Sequence, residues 1–238
     1  MSRPEPRVAI DGPAGAGKST VSRRVAEQLG YLLLDTGALY RCIAFAAKGK
    51  GHGWADTRSI GALARDIARR DGIRFEARAD GPPRILLDGA DVSTAIRTQE
   101  MAEGASQVSA IPEVRAALLD LQRSAARAGG VVLEGRDIGT VVLPDAEAKF
   151  FLTASIGVRA KRRYEELRAR GEAPVLGIVE DEVRQRDERD TMRPVAPLRQ
   201  APDAVLVDSS AMTIDEVVAT ITERVRAIRD ALAREKLG

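Results

Sequence analysis

The residues best suited to chemistry stand near the start of the chain. Gly12-Pro13-Ala14-Gly15-Ala16-Gly17-Lys18-Ser19-Thr20 matches the phosphate-loop spacing G-x-x-x-x-G-K-[ST] at every fixed position. Each residue type has a task. Gly12, Gly15 and Gly17 let the backbone bend so that its N–H groups face an anion, and the following helix adds the positive end of its dipole. Lys18 can reach β- and γ-phosphates, and the Ser19 hydroxyl can join the shell of a Mg²⁺ ion. The apolar run Val8-Ala9-Ile10 precedes the loop, and Val21, Val25 and Leu29 follow it at helical spacing. That strand–loop–helix setting separates a phosphate site from a glycine turn that merely caps a helix. The pattern implies binding of a nucleoside triphosphate.

Three further charged groups bear on where a phosphoryl group would go. Asp35-Thr36-Gly37-Ala38-Leu39-Tyr40-Arg41 follows the apolar run Tyr31–Leu34. Ligands of open α/β sheets sit beyond the carboxyl ends of strands, so Arg41 could clamp an anionic acceptor. Leu133-Glu134-Gly135-Arg136-Asp137-Ile138-Gly139-Thr140 follows a second apolar run. Glu134 stands where an acid that influences Mg²⁺ would sit, and Arg136 and Asp137 lie between glycines at the same edge. The third group is arginine-rich: Arg159, Arg162 and Arg163 share a helical face, as do Arg186, Arg189, Asp190 and Arg193 if the helix runs that far. Nearby Glu165, Glu166, Asp187 and Glu188 could make these simple solvated faces. Transfer between two phosphates nonetheless gathers negative charge at one point, which arginines on a lid would answer. An acceptor that is itself a phosphate is already anionic and needs no general base, so the single histidine, His52, reads as passive.

These groups need a scaffold, and the pattern supplies one in alternating strands and helices. After the Ala38–Ala47 helix and an amphipathic helix over Thr57–Arg70 the period changes. Ile73, Phe75 and Ala77 alternate, Asp80-Gly81-Pro82-Pro83 turns, and Ile85-Leu86-Leu87 precedes a turn at Asp88-Gly89. That reads as an antiparallel hairpin inside an inserted lobe. Helices over Gln99–Ser109 and Glu113–Ala128 follow, with Pro112 near the first turn of the second. Strand patterns return at Val131–Leu133, Lys149–Leu152 and Ala204–Val207, with helices over Ile156–Arg170 and Ile178–Asp190 between the last two. Thr213-Ile214-Asp215-Glu216 is a capping box for the final helix. The order predicts a doubly wound parallel sheet.

Composition narrows the partners. The chain has 238 residues, 44% of them hydrophobic, enough for one domain with an inserted lobe. Net charge is +2 and aromatics are 3%, so neither a basic field nor stacking platforms point to nucleic acid. No run reaches the ~18 apolar residues of a membrane span, and MSRPEPRVAID lacks a signal core. Cys42 is the only cysteine and lies beside Ile43 and Phe45, which fits core packing in a reducing cytosol.

Taken together, IDGPAGAGKST, LLDTGALYR, IRTQEMAEGASQVSAIPEVRAALL, EGRDIGTVVLPDA, RAKRR and RQRDERDTMRPVAPL resemble, in that order and over nearly the whole chain, the bacterial form of the cytidylate kinase family. The hairpin-bearing insert resembles the enlarged monophosphate-binding lobe of its bacterial members. The resemblance implies transfer of the γ-phosphoryl group of ATP·Mg²⁺ to CMP or dCMP, giving ADP and CDP or dCDP. It implies that Gly12 through Thr20 cradle the ATP phosphates, and that Ser106, Arg115 and Asp137 read the cytosine base. Arg41, Arg136 and Arg193 then hold the monophosphate, Arg186 and Asp190 meet the sugar, and Arg159, Arg162 and Arg163 close over the transferring group. Lys18, Arg136, Arg193 and the three lid arginines form the catalytic set. Thr36, where serine is common, keeps a substrate-side hydroxyl, and Glu134, where aspartate is common, falls in the outer shell of Mg²⁺ behind Ser19. Asp137 has a second reading, the orientation of Arg136.

The implied fold is one P-loop kinase domain over 1–238, with helices on both faces of the sheet. Its core covers about 1–55, 129–155 and 200–238, the CMP-binding lobe with its small antiparallel sheet about 56–128, and the helical lid about 156–199. A cytoplasmic monomer acting on free nucleotides is expected. The rival readings are a shikimate or AMP kinase on the same fold, which leaves the hairpin and the Ser106/Arg115/Asp137 set unexplained, and a nucleotide switch or RNA-binding ATPase, which lacks an N-K-x-D motif.

Overall fold

Val8, Ala9 and Ile10 are fully buried in β1 (Arg7–Asp11), as a strand with neighbours on both sides and layers on both faces requires. The computed structural model describes residues 5–76, 78 and 83–235. With β2 (Leu32–Asp35), β6 (Val131–Gly135), β7 (Ala148–Thr153) and β8 (Val205–Asp208), β1 forms a five-stranded parallel sheet in the order β2-β6-β1-β7-β8. Register sets the working edge. Ile10 lies opposite Glu134 on one side and Phe150 on the other, and Asp11 opposite Gly135 and Phe151. The phosphate loop and the Glu134–Asp137 segment therefore leave the sheet at the same level. The elements α1 (Lys18–Leu29), α6 (Ile156–Ala169), α7 (Leu176–Met192) and α8 (Ile214–Glu235) complete this unit. Val25 of α1 and Val218 and Ile221 of α8 join Val8, Ile10, Val132, Phe150 and Leu152 in one core. The capping box forms: Glu216 N donates to Thr213 Oγ1, and Thr213 N donates to the Glu216 carboxylate.

The chain divides into two compact units, one of Asp35–Ala125 and one of the remaining described residues. Asp35–Ala125 has its own core, in which Leu39, Ile43, Ile60, Ile67, Ile85 and Leu118 are buried. Its helices are α2 (Thr36–Gly49), α3 (Thr57–Arg69), α4 (Gln99–Val108) and α5 (Pro112–Ala125), with a 3₁₀ turn at Ala95–Arg97 before α4. The motif order assigns residues to about 55 to the core, whereas α2 lies in the Asp35–Ala125 unit. The predicted hairpin is present as β3 (Ile73–Glu76) and β4 (Arg84–Leu87), antiparallel, with β5 (Ala90–Asp91) as a third strand. Asp88 and Gly89 both take positive φ, 50° and 84°, the pair of values a two-residue hairpin turn needs. Ala77 and most of the predicted Asp80–Pro83 turn lie outside the described residues.

Three boundaries differ from expectation. The α2 helix starts at Thr36, because the Asp35 side chain accepts from Ala38 N at 3.2 Å and draws Thr36 and Gly37 into the first turn. The α5 helix stops at Ala125, short of Ala128. The α7 helix runs two residues past the expected Asp190, to Met192, and Arg193 follows it in extended backbone instead of continuing the face of Arg186, Arg189 and Asp190. Cys42 is fully buried, and burial pushes its thiol up to about 12, which suits a core role. Among the described residues no helix is long and apolar enough to cross a membrane.

Candidate active site

Glycine is obligatory at the mouth of the phosphate loop. Gly12 has φ 152°, and a Cβ there would lie 1.9 Å from the Leu152 carbonyl oxygen on β7. Gly15 and Gly17 also take positive φ, 75° and 87°, and Gly17 caps α1 in the left-handed region. Lys18 is buried, and its Nζ donates to the Pro13 carbonyl at 2.7 Å, folded over the loop it serves. Burial, then the neighbouring Arg136 and Arg186, lowers the pKa of Lys18, while Glu134 and Asp190 oppose the shift. The Ser19 hydroxyl donates to Glu134 Oε1 at 2.8 Å. A hydroxyl and a carboxylate of this kind are the hard oxygens that Mg²⁺ takes, so the pair fits the ion. Among the described residues no group of three or more acidic, histidine or cysteine side chains is placed to hold a metal. Mg²⁺, which keeps several waters and commonly binds with phosphates, does not need such a group.

Beyond β6 the charges interlock. Arg136 Nε donates to Asp190 Oδ2 at 2.8 Å, and the side chain of Asp190 is 5% exposed. Burial works against both charges, but their attraction outweighs it: Arg136 is held above its ordinary pKa and Asp190, with Arg186 and Arg193 also near, below its own. Arg193 Nη2 lies 3.3 Å from Asp137 Oδ1, and its Nε donates to the Ala196 carbonyl at 2.6 Å. Ala196 takes φ 51°, an uncommon conformation for alanine, and thereby turns its carbonyl to Arg193. Four of the predicted residues, Arg136, Asp137, Asp190 and Arg193, are thus brought together, with Arg186 adding charge beside Lys18 and Asp190. Arg136 is oriented by Asp190 in this cluster, and Asp137 faces Arg193.

The lid arginines do not act alike. Arg159, 4% exposed, meets protein through all three of its nitrogens: Nε donates to Ala154 O, Nη1 to Ala14 O in the phosphate loop, and Nη2 pairs with Asp187 at 2.6 Å. Arg162 donates to Ser209 Oγ and O and reaches the Ala16 carbonyl at 3.5 Å. Arg163 pairs with Glu166 at 2.8 Å. The first two brace the phosphate loop from α6, and the third is engaged along its own helix.

In the Asp35–Ala125 unit, Arg41 Nη1 lies 3.6 Å from Asp35 Oδ2, and Arg97 Nη1 lies 3.4 Å from the same oxygen. Arg115 is buried over the Tyr40 ring, 5.5 Å from its centroid, and donates to Ser109 O. Ser109 in turn donates to Ser106 O. The Ser106 hydroxyl is buried with no hydrogen-bond partner, and Thr36 is buried at the start of α2. An unsatisfied buried hydroxyl is costly, which suits a group awaiting a ligand.

Sequence reasoning missed Tyr40 as the platform of Arg115, Arg97 as a second cation on Asp35, and Asp11. Tyr40 and Arg97 carried no spacing signal. Asp11 did carry one, as a charged residue closing a fully apolar strand.

Comparison with known proteins completes the description. The sequence profile of the cytidylate kinase family matches residues 8–227. The chain is 54% identical over 211 residues to a cytidylate kinase of Syntrophotalea carbinolica, covering 89% of this chain and 88% of that protein. It is 47% identical over 226 residues to a cytidylate kinase of Stutzerimonas stutzeri, covering 94% and 97%. A solved gluconokinase from Sinorhizobium meliloti 1021 is 15% identical, covers 98% of this chain and 99% of that one, and has a TM-score of 0.47.

Proposed function

The chain belongs to the cytidylate kinase family, and from that premise we propose how its residues carry phosphoryl transfer. It is an ATP-dependent nucleoside-monophosphate kinase acting on CMP or dCMP. The observation that carries the site reading is the group of Lys18, Arg136, Arg186 and Arg193 around the buried carboxylates of Asp190 and Asp137.

Gly12 through Thr20 wrap the triphosphate, with backbone N–H groups and Lys18 meeting its oxygens. Lys18 leaves the Pro13 carbonyl when a phosphate arrives, because its ammonium bonds an anionic oxygen more strongly than a neutral carbonyl. Ser19 would hold Mg²⁺ with Glu134 behind it, and the ion would neutralise charge on the β- and γ-oxygens. Arg41, Arg136 and Arg193 hold the acceptor phosphate, Arg186 and Asp190 meet its sugar, and Thr36 adds a hydroxyl. The acceptor oxygen needs no deprotonation, so these residues position it in line and stabilise the spread negative charge. Arg162 and Arg163 serve the transferring group from α6. We assign Arg159 to the bracing of the phosphate loop, since each of its nitrogens already meets a protein oxygen and one of those is the Ala14 carbonyl of the loop. The enzyme works as a cytoplasmic monomer on free nucleotides.

Ser106, Arg115 and Asp137 choose the base. Cytosine offers an amine donor and an N3 acceptor where uracil offers an oxygen and an N–H. A carboxylate accepts from the amine but meets the uracil oxygen lone pair to lone pair, and a buried mismatch of this kind rejects the analogue strongly. A coupled assay with CMP, dCMP, UMP and AMP tests the reading. CMP or dCMP should lead, Lys18→Ala should abolish turnover of the folded protein, and Asp137→Ala should lose far more kcat/KM with CMP than with UMP. Equal losses for both bases would mean that Asp137 acts through Arg193 alone, and a preference for AMP would overturn the assignment.

A further inference from the structure

A buried carboxylate that none of these steps uses lies where the two loops of the sheet edge meet. Asp11 is the last residue of β1, directly before Gly12, and is 3% exposed. Backbone takes both of its oxygens: Oδ1 accepts from Ile138 N at 2.8 Å and Oδ2 from Gly139 N at 2.7 Å. These amides follow Arg136 and Asp137 in the chain without a gap. The strand ladder holds β6 only as far as Gly135, which is opposite Asp11. Past that point the Asp11 side chain takes over, and a two-pronged grip on consecutive amides fixes direction as well as place. Val141 N and Val142 N then donate back to the Asp137 carbonyl, closing a tight turn over the gripped peptide.

The arrangement works against stability. Burial pushes the Asp11 carboxyl up to about 6; the two amides and Lys18 resist the shift and Asp137 adds to it. A group whose folded pKa lies above its unfolded value is charged at neutral pH at the expense of the fold. A carboxylate kept under those terms is better explained by what it positions than by the stability it contributes.

We propose that Asp11 is a positioning residue for the monophosphate acceptor, and that its grip on the Ile138 and Gly139 amides sets Arg136 and Asp137 in the attitude the nucleotide requires. The inference rests on the assignment of Arg136 and Asp137 to CMP. Asp11→Asn keeps the volume and one acceptor but turns an N–H toward the second amide, which displaces the 136–139 segment while relieving the buried charge.

The test is a double-mutant cycle of wild type, Asp11→Asn, Arg136→Ala and the double variant, with kinetics for each substrate and a thermal melt. Asp11→Asn should lower kcat/KM for CMP by roughly 100-fold, the scale of an ångström-sized misplacement. It should leave KM for ATP within about three-fold of wild type. Its Tm should stay near that of wild type. The double variant should lose clearly less than the product of the two single losses, because the residues act as one unit. A multiplicative double, a parallel rise in KM for ATP, or a lowered Tm with unchanged kinetics would each overturn the proposal. Unchanged kinetics with CMP in Arg136→Ala alone would instead remove the assignment of Arg136, and this inference with it. If Asp11→Asn does not fold, Asp11→Ser enters the same cycle, since its hydroxyl can accept from one amide without opposing the other. Failure of both to fold would make Asp11 structural and refute the positioning role.

Discussion

Asp190→Asn offers the most direct measure of how the arginine cluster is held together. The carboxylate is 5% exposed, accepts from Arg136 Nε at 2.8 Å, and also faces Arg186 and Arg193. Removing one partner of a buried ion pair costs about 3–5 kcal/mol, because the other charge stays buried without its counter-ion. An asparagine oxygen still accepts one hydrogen bond, so the lower end applies, about 3 kcal/mol. For a chain of this length 1 kcal/mol moves Tm by about 2–4 °C, which predicts a fall of roughly 6–12 °C. The pH dependence has a definite sign. Burial alone would raise the Asp190 pKa, but the arginines hold it below the usual aspartate value. Its contribution is therefore complete above the unfolded pKa of about 4 and is lost as pH falls through the lower folded value. The gap between wild type and variant should be wide at neutral pH and close in strong acid. Differential scanning calorimetry at several pH values reads both effects. A variant melting within about 2 °C of wild type at neutral pH would refute the claim that Asp190 compensates buried arginines.

Three backbone predictions accompany it. Gly12→Ala puts a Cβ 1.9 Å from the Leu152 carbonyl oxygen, so it should destabilise by more than about 3 kcal/mol in a urea titration; a wild-type midpoint would show that β7 yields freely. Gly17→Ala meets nothing within 4 Å and should cost only about 1–2 kcal/mol, the price of a left-handed alanine, in the same titration. Ala196→Gly relieves the reverse strain at φ 51° and should raise Tm by about 1–3 °C; a lowered Tm would mean that the alanine methyl packs favourably.

What the sequence disclosed and what it withheld follow the range of the interactions. The phosphate loop was legible because its chemistry is local: Gly12 through Thr20 carry their conformation and their function in nine consecutive residues. The Asp88-Gly89 turn was legible for the same reason, as was the Thr213–Glu216 capping box. The start of α2 was misplaced because the Asp35 side chain, not the glycine two residues on, decides where the helix begins. Whether Arg193 shares the face of Arg186, Arg189 and Asp190 was not legible, because the charge period continues to Arg193 while the helix ends at Met192. The partners of the site residues were beyond reach. Arg136 and Asp190 are 54 positions apart, Arg159 and Ala14 are 145, and Asp11 and Ile138 are 127. No spacing rule connects such pairs; the parallel register of β1 with β6 brings Asp11 level with the segment that holds Ile138, and that of β1 with β7 sets the phosphate loop beside the chain that leads to Arg159.

The pairing pattern also explains how this site can be both charged and buried. Guanidinium groups aimed at a phosphate must be desolvated to act strongly, yet a desolvated cation without an anion would oppose folding. Asp190, Asp137 and Asp187 answer that conflict by holding Arg136, Arg193 and Arg159 in fixed directions at 2.8, 3.3 and 2.6 Å. Under the proposed assignment of Arg136 and Arg193 to the acceptor, a phosphate meets donors already oriented, so little of its binding energy goes into ordering flexible side chains. The same reasoning applies to Arg159. Three of the five N–H groups of Arg159, one each on Nε, Nη1 and Nη2, already meet protein oxygens. Its bond to the Ala14 carbonyl ties α6 to the phosphate loop, and Arg162 adds a second tie through Ser209 and Ala16.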